Sequence, residues 1–168
     1  MNTQTSKPIK HTLATRILHH LSVVMIVALW ILIEFEYYDW HKGLGAVFLF
    51  WVLLRLVNLV IRPKMPKLAA PPWQTGMAHL VHTGLYAVML AMPISGILMS
   101  VYGGRPVSVF GLFNIPVFVT PSREMASFYN NLHTDVIFPA LIALVVAHVL
   151  AALYHQFIKK DNLLARMR

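Results

Sequence analysis

There is no cysteine in this chain of 168 residues, which excludes disulfides, thiolate metal sites and iron–sulfur clusters. Acids are almost as scarce, with six aspartates and glutamates against 14 lysines and arginines. Charged residues make up only 12% of the sequence, about half the share of a soluble domain. No long apolar segment carries the polar face that a soluble helical core needs. There is no internal repeat and no low-complexity tract.

What is present is hydrophobic: 58% of the residues, with a mean hydropathy of +0.64. Four runs, at residues 12–33, 43–61, 78–101 and 132–158, each approach or exceed the ~20 helical residues that cross a bilayer. The chain is therefore expected to be an all-α integral membrane protein, a single four-helix transmembrane bundle over residues 1–168. The first run follows Lys7, Lys10 and Arg16 but is longer than a signal core. The stretch after it, "EFEYYDW", offers no small-residue cleavage site, so the run is expected to stay in the mature protein.

Charge orients the bundle. With an even number of spans, both termini and the loop between spans two and three share one side. That side holds Lys7, Lys10, Arg16, Arg55, Arg62, Lys64, Lys67, Lys159, Lys160, Arg166 and Arg168. Lys42, Arg105 and Arg123 fall opposite, with five of the six acids. The positive-inside bias then places both termini in the cytoplasm. The net charge of +8 reads as a topology signal with some attraction for anionic membrane lipid, and no nucleic-acid partner is expected. The inner loop "RPKMPKLAAPPWQTG" should be extended and add no helix. The short outer "EFEYYDW" makes spans one and two adjacent. The second outer loop, about residues 102–131, is apolar enough to lie in the interface or cap the bundle.

Nine histidines remain to be explained. Taken singly, an intramembrane histidine reads as a hydrogen-bonded interhelical residue. Several at matched depths make a functional constellation. His133 stands at the outer end of span four, and His148 follows 15 positions later, about 22 Å deeper and about 60° around the helix. His19 in span one lies near the depth of His148, and His41, opening span two, near that of His133. The four form an inner pair, His19/His148, and an outer pair, His41/His133. Two facing imidazoles supply the axial ligands of a six-coordinate haem iron, whereas zinc needs three or four converging ligands. Two haem b groups stacked across the bilayer suit electron transfer. His82 or His155 could replace an inner ligand, bond a haem propionate or serve a quinone, and Arg55 could bind an inner propionate or snorkel to the interface. Of His19 and its neighbour His20, only one can face the bundle centre. His79 opens span three beside His82, and His11 reads as a solvated N-terminal residue. Gly43 and Gly45 beside His41 would admit a flat porphyrin or a close helix contact.

The stretches "RILHH" leading to "EFEYY", "HKGLGAVFLFWVLLRL", "TGMAHLVHTGLYAVMLAMPISGILM" and "HVLAALYHQFIKKDNLLARM" cover nearly the whole chain. In this order they resemble the bacterial cytochrome b561 family of dihaem membrane proteins, and the related cytochrome subunits of nickel hydrogenases and formate dehydrogenases. Carried over, the family pattern implies His19, His41, His133 and His148 as the haem iron ligands. In such proteins the two fourth-span ligands stand one residue closer than here. With Pro139 between them, a proline kink or a single π-bulge is expected to absorb the extra residue. The resemblance implies a membrane oxidoreductase passing electrons from a periplasmic donor to ubiquinone. Superoxide is one donor it implies; a small-molecule or protein donor is equally open, and so is a homodimer. The alternatives are a membrane-anchor cytochrome subunit of a larger dehydrogenase or hydrogenase, and a histidine-lined metal or proton carrier. The carrier should place acids in mid-span, where this chain has none.

Overall fold

The computed structural model describes residues 10–65 and 70–167. Lys7, Lys67 and Arg168, counted in the charge balance, lie outside them. Four helical spans form the molecule: α1 (Leu13–Glu34), α2 (Tyr38–Ile61), α3 (Pro72–Tyr102) and a composite fourth from Arg123 to Lys159. The fourth runs through α4 (Arg123–Asn131), a π-helical turn (Leu132–Ile137), α5 (Phe138–Leu153) and a second π-helical turn (Tyr154–Lys159). All four are long and apolar enough to cross a membrane.

Local chemistry sets the ends. Thr12 caps α1 by accepting the amide of Thr15 at 3.3 Å. The chain then reverses through Phe35–Tyr37, with Glu36 at φ 61°. Because α2 already starts at Tyr38, His41 sits one turn inside the helix, not at its opening as expected. The expected extended inner loop is likewise shorter. Pro72 occupies the first turn of α3, where a missing amide costs nothing, so "PWQTG" starts the helix.

The second outer loop is more structured than expected. Val107–Val109 (β1) pairs antiparallel with Phe113–Ile115 (β2) around a turn at Phe110 (φ 53°) and Gly111 (φ 74°). Ser122 then caps α4 through the amide of Met125. This small hairpin, added to an otherwise helical fold, lies against the start of α2. Trp40 and Phe110 rings stand 5.3 Å apart, and a Cβ on Gly43 would come within 3.1 Å of the Ser108 carbonyl oxygen.

A polar seam joins α1 to α2. Trp51 Nε1 donates to the Leu18 carbonyl and to Ser22 Oγ, Arg55 Nη1 to the Leu18 carbonyl, and Asn58 Nδ2 to Thr15 Oγ1. Positions 51, 55 and 58 share one face of α2 and meet 22, 18 and 15 on α1, an antiparallel register that fixes the height of His19. Phe48, Val52, Met89 and Leu141 form the apolar core, with Met25 and Ile26 packed against them. Leu141 falls midway between His133 and His148, so this layer separates the two histidine levels. Among the described residues the fourth span packs closely on α3 and not on α1 or α2.

Candidate cofactor site

Where the fourth span stands away from α1 and α2, the histidines reach across. His41 of α2 faces His133 with ring centroids 6.3 Å apart, and His19 of α1 faces His148 at 6.2 Å. A metal–imidazole bond is about 2 Å and the ring centre lies about 1.1 Å beyond its nitrogen, so two imidazoles on opposite faces of one metal should stand about 6.3 Å apart. Both pairs have this spacing. Among the described residues, no group of three or more histidine, cysteine or carboxylate side chains converges as a metal-ion site. The donor set therefore suits an iron whose remaining ligands come from a porphyrin.

Each outer imidazole is oriented by a neighbouring helix. His41 Nδ1 lies 2.9 Å from the Leu29 carbonyl of α1. His133 Nδ1 lies 3.0 Å from both the Met92 carbonyl and Ser95 Oγ of α3. With Nδ1–H donating to these oxygens, Nε2 of each ring is left as the nitrogen that could bind a metal. Met92 directly precedes Pro93, which cannot donate into the helical ladder of α3. Gly96 brings the α3 backbone close to His133, as a Cβ there would lie 3.2 Å from its Cε1. Gly45, one turn after His41, has nothing within 4 Å of its Cβ position and leaves room for a flat group. Gly43 does not, since the hairpin occupies that space.

The fourth span absorbs the extra residue between His133 and His148. His133 sits within the π-helical turn Leu132–Ile137, and Pro139 follows in the first turn of α5. One wide turn takes up one residue, so both histidines face the same way.

The inner level is more crowded. The His82 ring lies 5.1 Å from that of His148, and the His20 ring 5.6 Å from that of His19. Nδ1 of His20 is 2.7 Å from the Arg16 carbonyl, and Nδ1 of His82 is 2.6 Å from the Ala78 carbonyl, each four residues back on its own helix. Arg55, besides its bond to Leu18, lies over the Tyr86 ring at 5.5 Å. His155 is paired elsewhere, with Nδ1 2.5 Å from Asp161 Oδ2. His79 is exposed on α3, and His11, half-buried, joins the C-terminal segment through its amide to the Arg166 carbonyl at 2.9 Å. Sequence reasoning missed the carbonyl partners of His41 and His133, because a backbone oxygen leaves no trace in residue type.

A four-span membrane bundle with paired imidazoles facing across its interior belongs to the class of haem-binding membrane proteins. The comparisons make this specific. The family model described as prokaryotic cytochrome b561 matches residues 10–168, and the chain belongs to that family. It is 31% identical over 177 residues to cytochrome b561 homolog 2 of Escherichia coli (strain K12), covering 97% of this chain and 93% of that protein. It is 39% identical over 121 residues to cytochrome b561 homolog 1 of the same organism, covering 70% and 67%. It is 29% identical over 166 residues to a protein of Yersinia pestis named probable superoxide oxidase CybB, covering 89% and 90%. The chain is thus a multi-pass membrane b-type cytochrome, an electron carrier of a family that binds haem b.

Proposed function

We propose that the chain holds two haem b groups, one ligated by His41 and His133 and one by His19 and His148. It would carry electrons across a bacterial inner membrane to ubiquinone. The supporting observation is the pair of ring separations, 6.3 and 6.2 Å, each between separate helices and each equal to what axial ligation demands. When bound, the haems supply the one-electron relay. The protein orients the outer rings through the Leu29 and Met92 carbonyls and separates the two levels by the Phe48, Val52, Met89 and Leu141 layer. Superoxide is the proposed donor, on the printed name of the Yersinia pestis relative. Two superoxide anions become two oxygen molecules and release two electrons, and ubiquinone takes these with two protons to give ubiquinol. The excess of lysine and arginine at that end supports a cytoplasmic position for both termini.

Haem extraction and redox titration of the purified protein test the haem count. Two equivalents of haem b per chain are expected, and saturation at one would overturn the proposal. Superoxide-dependent reduction of a short-chain ubiquinone tests the activity separately. A second reading, a cytochrome subunit docked to a soluble dehydrogenase, draws on the outer cap, where Leu112 is 83% exposed and Phe113 60%. Under it the isolated chain binds haem but gives no superoxide-dependent quinone reduction.

A further inference from the structure

Where α1 begins and α2 ends, Lys10, His11, Thr15, Arg62, Lys64 and Met65 line a cavity of about 240 Å³. Three cations converge on it, and among the described residues no acidic side chain lines the cavity. Glu34, Glu36, Asp39, Glu124 and Asp135 lie toward the other end of the bundle, and the sixth acid, Asp161, is held by His155. Among the described residues no ion pair engages Lys10, Arg62 or Lys64. Like charges brought together in a concavity repel one another unless an anion lies between them. The floor is held in place by side-chain hydrogen bonds: Thr12 and Thr15 hydroxyls 2.8 Å apart, and Asn58 Nδ2 donating to Thr15 Oγ1 at 3.0 Å. The C-terminal segment, bonded to the His11 amide through the Arg166 carbonyl, forms the adjoining rim.

On the next face of α1 an open groove of about 490 Å³ runs along Leu13, Ile17 and Leu21, with Arg16, His20 and Met167 beside them. These three leucine and isoleucine side chains are 63%, 47% and 42% exposed and follow one helix stripe into the membrane. A cation-lined cavity beside an apolar helix stripe matches an amphiphile with an anionic head and a chain. We infer that this corner is a specific binding site for a phosphate-bearing anion, filled by an anionic phospholipid with its headgroup phosphate among Lys10, Arg62 and Lys64 and an acyl chain along Leu13, Ile17 and Leu21.

The experiment uses the haem-loaded protein, delipidated in detergent, and reads binding by native mass spectrometry and by the thermal midpoint. The probes are phosphatidylglycerol, phosphatidylcholine and inorganic phosphate. Phosphatidylglycerol should bind at least tenfold more tightly than phosphatidylcholine and raise the midpoint. The triple variant Lys10→Gln/Arg62→Gln/Lys64→Gln should lose at least tenfold in that affinity, while Lys159→Gln/Lys160→Gln, basic positions outside the cavity, should keep it. Should the triple variant fail to fold, Lys64→Gln alone, exposed and outside any helix, should still weaken binding severalfold. Saturable inorganic phosphate binding with no preference for phosphatidylglycerol would support the anion site and make its source soluble. Equal loss in both multiple variants, or none in the triple or in Lys64→Gln, would overturn it, since a diffuse positive surface explains that result.

Discussion

The two histidine levels have nearly the same ring spacing and are held in different ways. At the outer level each imidazole is tied to a different helix: His41 to the Leu29 carbonyl of α1, His133 to Met92 and Ser95 of α3. Ligand orientation there is part of how the helices pack. At the inner level the rings of His19 and His148 are positioned by their helices, and their ring contacts among the described residues are with other histidines. One site is thus set by tertiary hydrogen bonds, and the other is crowded with spare imidazoles. A hydrogen-bonded ligand is oriented before a cofactor arrives. A cluster of interchangeable ligands tolerates the loss of one member.

The largest effect should come from His133→Ala. It removes a proposed outer ligand, while the Met92 carbonyl keeps the Ser95 hydroxyl as donor at 2.9 Å, so the lost haem is the main cost. Among the described residues, the His41–His133 pair has no third imidazole in ring contact to replace either member. Haem content should fall from two equivalents to one in His133→Ala and in His41→Ala, with the inner haem still reducible. Full haem content in either variant would break the outer assignment.

The inner level should respond unevenly. His148→Ala should lose the inner haem, because both His19 and His82 meet their partner ring there. His19→Ala should keep part of it through His82 or His20, with a changed low-temperature electron paramagnetic resonance signal. The double variant His19→Ala/His82→Ala should come closer to His148→Ala. Equal haem loss in His19→Ala and His148→Ala would mean that the extra imidazoles give no redundancy.

How much of this was legible in the sequence follows from what residue type can encode. Hydropathy marks the spans, and a rise of about 1.5 Å per residue places His19 with His148 and His41 with His133, because depth is additive along a helix. The π-helical turn at His133 announced itself as one residue too many beside Pro139. The α1–α2 seam left a weaker signal, Trp51, Arg55 and Asn58 at helical spacing, whose partners include a bare carbonyl. The inner loop is expected to be extended, yet Pro72 within it starts α3, since proline favours the first turn and interrupts later ones. The hairpin was hidden because "VSVFGLFNI" is too short to separate strand from interfacial loop by alternation.

A subtler test of the outer level is Ser95→Ala. Met92 still accepts from His133, so both haems should stay. Losing one of two oxygen partners, about 1 kcal/mol at most, leaves the ring a weaker electron donor to iron. The outer reduction potential should rise modestly and the inner one stay unchanged in a redox titration. An equal shift in both potentials would show that the two levels are not independently tuned.

The smallest effect concerns the cationic end of the inner half, where His11 lies outside the membrane spans. Burial first, then the charges of Arg62 and Arg166, hold its pKa below the ordinary histidine value of about 6.5. On acidification the unfolded chain takes up this proton before the folded one. Stability from this group is therefore complete above about pH 6.5 and is lost as pH falls toward the folded value. Thermal midpoints at about pH 7.5 and about pH 5.5 should show a slightly smaller acid-side loss in His11→Gln than in the parent protein. The difference should shrink when phosphatidylglycerol fills the neighbouring cavity, because an anion there offsets the same arginine charges that keep the proton off. An unchanged difference would place the lipid phosphate too far from His11 to act on it, and would confine the effect to burial.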